Sequence, residues 1–116
     1  MLYKIAVASS DGKVINQHFG RTETFYISEV NDNRSYHLLE ERRIRAICMG
    51  GEHDASALNT IADKLADCKY VLVSQIGPGA EYVLNQKGVT VLVIRDYFDN
   101  AIQKLMEYDE KVNFIY

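Results

Sequence analysis

The side chains in this sequence whose types suit soft-metal chemistry and whose surroundings leave them free for it are His18, Cys48 and His53. Each lies in a stretch without regular hydrophobic alternation. His18 stands in Asn16-Gln17-His18-Phe19-Gly20, Cys48 precedes Met49-Gly50-Gly51, and His53 comes directly before Asp54. Imidazole and thiolate are donors for iron, zinc or copper, and thiolates are the usual holders of iron–sulfur clusters. Every one of them also has a plainer reading. A loop histidine often just bonds backbone, a free cysteine is most often a small buried hydrophobe, and a histidine ahead of a helix N-cap serves helix entry. The second cysteine, Cys68, sits where a helical pattern meets a strand pattern and reads as structural. His37, on an extended segment, reads as solvent-facing. Gly77-Pro78-Gly79 opens a helix, where backbone N–H groups and the positive dipole end favour anions. It lacks the spacing and the lysine of a P-loop, so it reads as a tight turn rather than a phosphate cradle.

Several chemistries have no support. No GxSxG elbow, HExxH helix or CxxC pair occurs, so hydrolase and dithiol chemistry lack their signatures. A two-metal nuclease needs clustered carboxylates, yet the first apolar run carries none and Asp11 lies beyond its end in a turn. Lys and Arg total 13 against 16 Asp and Glu, a formal charge of −3, which gives no general attraction to nucleic acid. No run approaches the ~18 apolar residues of a membrane span. The opening Met1 to Ala8 has neither a basic leader nor a cleavage site and reads as the first strand of a cytoplasmic protein. With 116 residues, 47% hydrophobic and 25% charged, a single globular domain over 1–116 is expected.

The elements that must position these residues follow from periodicity. Leu2 to Ser9 is an apolar run with β-branched Ile5 and Val7, broken by Ser10-Asp11-Gly12. Glu23 to Val30 and Tyr36 to Arg43 flank the turn Asn31-Asp32-Asn33 and predict an antiparallel hairpin, with Phe25 and Ile27 on one face. Leu58, Ile61, Ala62 and Leu65 recur at helical spacing after Asp54, a good N-cap, and predict a helix near 54–67. Tyr70 to Val73 and Val89 to Ile94 read as strands covered on both faces. Between them Pro78 starts a short helix that Gly88 closes. Phe98, Ile102, Leu105 and Met106 form the stripe of a last helix, and Glu110 to Tyr116 reads as a short tail. The order is β-β-β-α-β-α-β-α: a five-stranded mixed sheet flanked by helices, with the last two strands parallel to the first.

In open α/β sheets ligands lie beyond the carboxyl ends of strands. Three polar or glycine-rich segments follow strand ends here: Ser9 to Gly20, Ser74 to Gly79 and Ile44 to His53. Their convergence on one sheet edge would bring His18, Cys48 and His53 near the helix start at Gly77, giving a soft-metal or anionic-ligand site.

The run Ile5-Ala6-Val7-Ala8-Ser9-Ser10-Asp11-Gly12, then Gln17-His18-Phe19-Gly20 and Phe25-Tyr26-Ile27, resembles the nitrogenase iron–molybdenum-cofactor biosynthesis family, the domain of NifX, NafY and the carboxyl-terminal part of NifB. The likeness continues through Cys48 and Gly51, through Ser74-Gln75-Ile76-Gly77-Pro78-Gly79-Ala80 and through Gly88-Val89. It implies a ribonuclease-H-like α/β fold without nuclease activity and a role in holding iron–sulfur precursors of the cofactor. His18 matches the family's motif histidine, proposed to contact the cluster, and Cys48 a frequent cysteine of the following loop. Phe19, Gly20, Gly51, Gly77 and Gly79 line the implied site, with His53 as a further metal ligand. The cysteine-rich radical domain that precedes this module in NifB is not part of the likeness, so the catalytic share of cofactor assembly is not expected of this chain. Cofactor-assembly proteins are the implied partners, with no nucleic acid or membrane among them.

Donor chemistry narrows that role. A permanently held cluster commonly needs four cysteine thiolates, and this chain has two cysteines, of which one lies in a suitable loop. A preassembled cluster bringing its own sulfides needs less: one imidazole, one thiolate, backbone N–H groups, and Arg21, Arg43 or Arg45 to balance its charge. A transient, non-enzymatic carrier is therefore expected. The competing expectation is a regulatory or protein-interaction module that uses the same loops for a small anion or a partner protein.

Overall fold

Residues 2–31, 33–44 and 55–115 are described by the computed structural model. Over them the chain runs β1 (Tyr3–Ala8), β2 (Thr24–Val30), β3 (Tyr36–Arg43), α1 (Ala55–Lys64), β4 (Tyr70–Val73), α2 (Pro78–Gln86), β5 (Thr90–Val93) and α3 (Phe98–Ile115). A single 3-10 turn, Phe19–Arg21, interrupts the segment between β1 and β2. The strands form one five-stranded sheet in the order β3-β2-β1-β4-β5. β1 pairs antiparallel with β2 and β2 with β3, whereas β4 runs parallel to β1 and β5 parallel to β4. This is the five-stranded mixed α/β sheet that the sequence pattern predicts, with β4 and β5 parallel to β1.

β1 is central, and for that reason its apolar residues run on without alternation. Ala6 and Ala8 face the layer that holds Phe25, Ile27, Val71 and Val73 beneath Ile61 and Leu65 of α1 and Leu84 of α2. Ile5 and Val7 face the opposite layer, with Tyr70 and Leu72 beneath Ala101, Ile102, Leu105 and Met106 of α3. Full burial of each large aliphatic side chain contributes roughly 1.5–3 kcal/mol, so these two layers dominate the fold's stability.

The hairpin turn is an asparagine device. Asn31 Oδ1 accepts the N–H groups of Asn33 and Ser35 and the Ser35 hydroxyl, while Arg34 takes a left-handed φ of 59°. Pairing then slips by one residue, because Ile27 lies opposite Glu40 and Ser28 opposite Leu38, leaving Leu39 as a bulge. α2 begins at Pro78 behind Gly77, and Gly88 follows it with φ 82°, as expected. The proposed N-cap of α1, Asp54, lies outside the described residues.

Two expectations need correction. β5 is an edge strand covered only in part: Val91 is buried in one layer and Leu92 packs against the other, but Val93 is 59% exposed and Thr90 is exposed. Its β-branched composition reports extended backbone, not the number of neighbours. The expected tail from Glu110 instead continues α3 through Ile115. Asp109, buried on that helix, accepts hydrogen bonds from Tyr70 Oη at 2.6 Å and Lys69 Nζ at 2.5 Å, which holds the helix against the sheet past the apolar stripe. Arg34 and Tyr36 of the hairpin pair with Glu110 and Asp99 of α3 and fasten it further. Among the described residues no helix is long and apolar enough to cross a membrane.

Candidate functional site

The carboxyl ends of β1, β4 and β5 share one sheet edge with the start of β2 and the end of β3, as the pairs Ala8–Phe25, Val73–Val93 and Thr24–Arg43 require. The segment after β1 turns at once. Ser9 Oγ accepts the N–H groups of Asp11 and Gly12 at 3.2 and 3.0 Å, and Asp11 Oδ1 accepts those of Lys13 and Val14 at 2.9 and 3.2 Å. The backbone donors hold the Asp11 carboxyl below the usual carboxylate range. Gly12 takes φ 76°, and a Cβ there would come within 3.1 Å of the Tyr26 ring, so the turn needs glycine on both counts.

From there the segment laces across the other strand ends. Val14 bridges antiparallel to Tyr97, with Ile15 N–H donating to Asp96 O and Phe98 N–H to Lys13 O, both at 2.9 Å. Ser74 N–H then donates to Gln17 O at 3.0 Å and Phe19 N–H to Gln75 O at 2.8 Å, so His18 bridges parallel to Gln75. Two of the three segments expected to converge are therefore joined by backbone hydrogen bonds.

His18 is held through its carbonyl and through Nδ1. Its carbonyl accepts from Thr22 Oγ1 at 2.7 Å and from Arg21 N–H at 3.0 Å, and its Nδ1 accepts the Gly20 N–H at 2.9 Å, capping the 3-10 turn. Phe19 is 2% exposed and meets the Phe25 ring at 5.7 Å between centroids, and Gly20 is buried. Leaving the buried Gly20 N–H without an acceptor would cost ~1–3 kcal/mol, so the imidazole's orientation is built into the fold.

Past Gln75 the chain enters α2. Gly77 is extended, and among the described residues nothing beyond the adjacent stretch of chain lies within 4 Å of where a Cβ would stand on Gly77 or Gly79. The first N–H groups of a helix have no acceptor within it, so this open end can donate to a ligand. The third segment leaves the same edge: Ile44 N–H donates to Glu23 O at 2.7 Å. Arg21 and Arg43 are exposed at this edge. Cys48, Gly51 and His53, with Arg45, lie outside the described residues.

Cys68 is elsewhere. It precedes β4 at the opposite edge, roughly 20 Å from Gln75 by strand rise. It is 3% exposed, and burial, reinforced by the Asp67 carboxylate alongside, pushes its thiol up to about 12. It is thus closed off from solvent and distant from the His18 segment. Among the described residues no three His, Cys, Asp or Glu side chains gather as a metal site.

Sequence reasoning gave no individual role to Gln75 or Thr22. They touch His18 and Phe19 through a backbone carbonyl and a hydroxyl, and neither contact leaves a trace in spacing. It also overlooked a cleft of about 560 Å³ beside the laced segment, lined by Val14, Ile15, Asn16, Ser74, Arg95, Asp96 and Tyr97. Asp96 there accepts from Lys104 Nζ at 3.0 Å, from Tyr97 N–H and from Asn100, which together hold its carboxyl low. It is occupied in bracing α3.

Fold and site define a small α/β domain with no carboxylate on its central strand and its polar segments gathered at one sheet edge. The family model described as dinitrogenase iron-molybdenum cofactor matches residues 1–108, and the chain belongs to that family. The FeMo cofactor biosynthesis protein NifB of Frankia alni is 34% identical over 104 residues, covering 87% of this chain and 20% of that protein. The chain thus spans about a fifth of the length of the curated relatives it matches. Among solved structures, PH0822 superimposes with a TM-score of 0.68 at 18% identity, over 90% of each chain. The apo form of the orange protein of Desulfovibrio gigas gives 0.62 at 18% identity, over 92% of this chain and 89% of that one. At such identities these two structures speak for the fold alone.

Proposed function

We propose that the protein is a non-enzymatic carrier that transiently binds an iron–sulfur precursor of the nitrogenase iron–molybdenum cofactor, or a related cluster, and passes it to cofactor-assembly proteins. The observation that carries this reading is the backbone lacing of the His18 segment to Gln75, which sets the motif histidine beside the open start of α2 within a chain of the cofactor family. The printed role of the Frankia alni relative, FeMo cofactor biosynthesis, points the same way. His18 and Cys48 contact the cluster, His53 is a further donor, and Gly51, Gly77 and Gly79 form the surrounding wall, with the buried Phe19 and Gly20 supporting it from behind His18. A cytoplasmic setting goes with this role. So sparse a donor set suits a cargo that must leave again, since permanent ligation commonly takes four thiolates.

The test is anaerobic loading with a preformed synthetic four-iron, four-sulfide cluster bearing exchangeable thiolates. The wild-type chain is expected to take it up, with visible sulfur-to-iron charge-transfer absorption, and Cys48→Ala to take up markedly less. Cys68→Ala is expected to load like wild type. Equal loading by wild type and the His18→Ala, Cys48→Ala double variant, with folding intact, would move the weight to a regulatory module that binds a small anion or a partner protein.

A further inference from the structure

The geometry points to His18 as a hydrogen-bond donor to the cargo rather than an iron ligand, its Nε2–H meeting a sulfide or another anionic acceptor on the cluster surface. This rests on the carrier reading and specifies how one of its contacts is made. Nδ1 accepts the Gly20 N–H at 2.9 Å, and a ring nitrogen that accepts an N–H carries no proton of its own. The one proton of the neutral imidazole therefore sits on Nε2, which then has no lone pair to offer a metal. Among the described residues Nε2 has no hydrogen-bond partner, and the side chain is half-buried, so this N–H is free for a ligand.

Both routes to coordination conflict with the surroundings. Bonding through Nε2 requires the proton on Nδ1, where it would face the Gly20 N–H. Bonding through Nδ1 requires the buried Gly20 N–H to give up its acceptor. The backbone cannot shift to relieve either conflict, and turning the ring away would itself strand the Gly20 N–H. The His18 carbonyl is held by Thr22 Oγ1 and Arg21 N–H, and the next residue is pinned to Gln75 and packed on Phe25. Bridging sulfides are anionic acceptors, and hydrogen bonds to charged acceptors are roughly twice as strong as neutral ones. A contact of this kind leaves the iron atoms open to exchange.

The tautomer can be read by nuclear magnetic resonance of isotopically labelled histidine nitrogens in the full cluster-free chain. A protonated Nε2 and a bare Nδ1 at His18 are expected, and a protonated Nδ1 would overturn the inference. His18→Asn retains an oxygen able to accept from Gly20 but has no distal donor, and is expected to bind the synthetic cluster about ten- to hundred-fold more weakly with its fold kept. His18→Gln places an amide N–H near the Nε2 position and is expected to recover most of that loss. If the histidine were an iron ligand, neither amide would replace it and both variants would be equally weak. In the reduced, loaded wild type, pulsed electron paramagnetic resonance is expected to show only weak coupling to the His18 nitrogens. Strong coupling from a directly bound nitrogen overturns this inference and leaves the carrier reading standing, whereas a wild-type chain that takes up no cluster overturns both.

Discussion

The two cysteines of this chain show how environment, rather than residue type, decides what a side chain does. Cys68 is sealed between α1 and β4, and its thiol is pushed up to about 12. In the native protein at pH 8 it is expected to resist iodoacetamide and to react on unfolding, which mass spectrometry would show. A thiol titrating higher in the folded than in the unfolded chain adds stability below its unfolded value of ~8.5 and loses it as pH climbs toward 12. Cys68→Ala is therefore expected to cost ~1 kcal/mol at neutral pH, with a shallower fall in urea midpoint at high pH than wild type. That Cys68 is structural was legible from its place between two apolar patterns. The cap that His18 provides to Gly20 was not, because a side chain's choice between backbone and ligand depends on a turn geometry that His-Phe-Gly does not spell out.

Helices, strands and their order followed from periodicity, since a two-residue or 3.6-residue repeat records directly which face is buried. Edges and tethers did not follow, because they depend on distant partners. Arg42 of the exposed strand β3 grips Asp67 through two hydrogen bonds of 2.7 Å and donates to Lys64 O at 2.8 Å, tying that strand to the end of α1. The guanidinium, with Lys4 3.3 Å away, holds the Asp67 carboxyl well below its usual range. A depressed carboxyl adds stability above the unfolded value of ~3.9 and loses it as pH falls below that. Asp67→Asn is expected to flatten the acid limb of the stability profile and, for a pair this exposed, to cost less than about 1 kcal/mol at pH 7. Asp109→Ala is the harsher change: it leaves the buried Tyr70 hydroxyl unpaired, and a loss of ~1–3 kcal/mol is expected in urea denaturation. Fraying of the last turns of α3 should accompany it, visible as lost helical circular dichroism.

For the whole molecule, the mixed sheet separates stability from function. Two apolar layers on its faces carry the fold, and the edge at the carboxyl ends of the parallel strands gathers the polar segments. Convergence of the segments after β1 and β4 was legible through the rule that ligands lie beyond strand ends. The lacing that fixes it was not, because Val14, Gln17 and Phe19 make it through main-chain groups that every residue possesses. A carrier built this way must release what it holds, and release is the property that most directly separates a carrier from an electron-transfer protein or a regulatory module. The decisive measurement is anaerobic transfer from the loaded chain, freed of excess cluster, to a cluster-free acceptor offering four cysteine thiolates, followed by iron and sulfide analysis of the two separated proteins. The account predicts that the wild-type chain loads and then yields nearly all its iron and sulfide to the acceptor. Failure to load, or retention of the cluster against four competing thiolates, would contradict it.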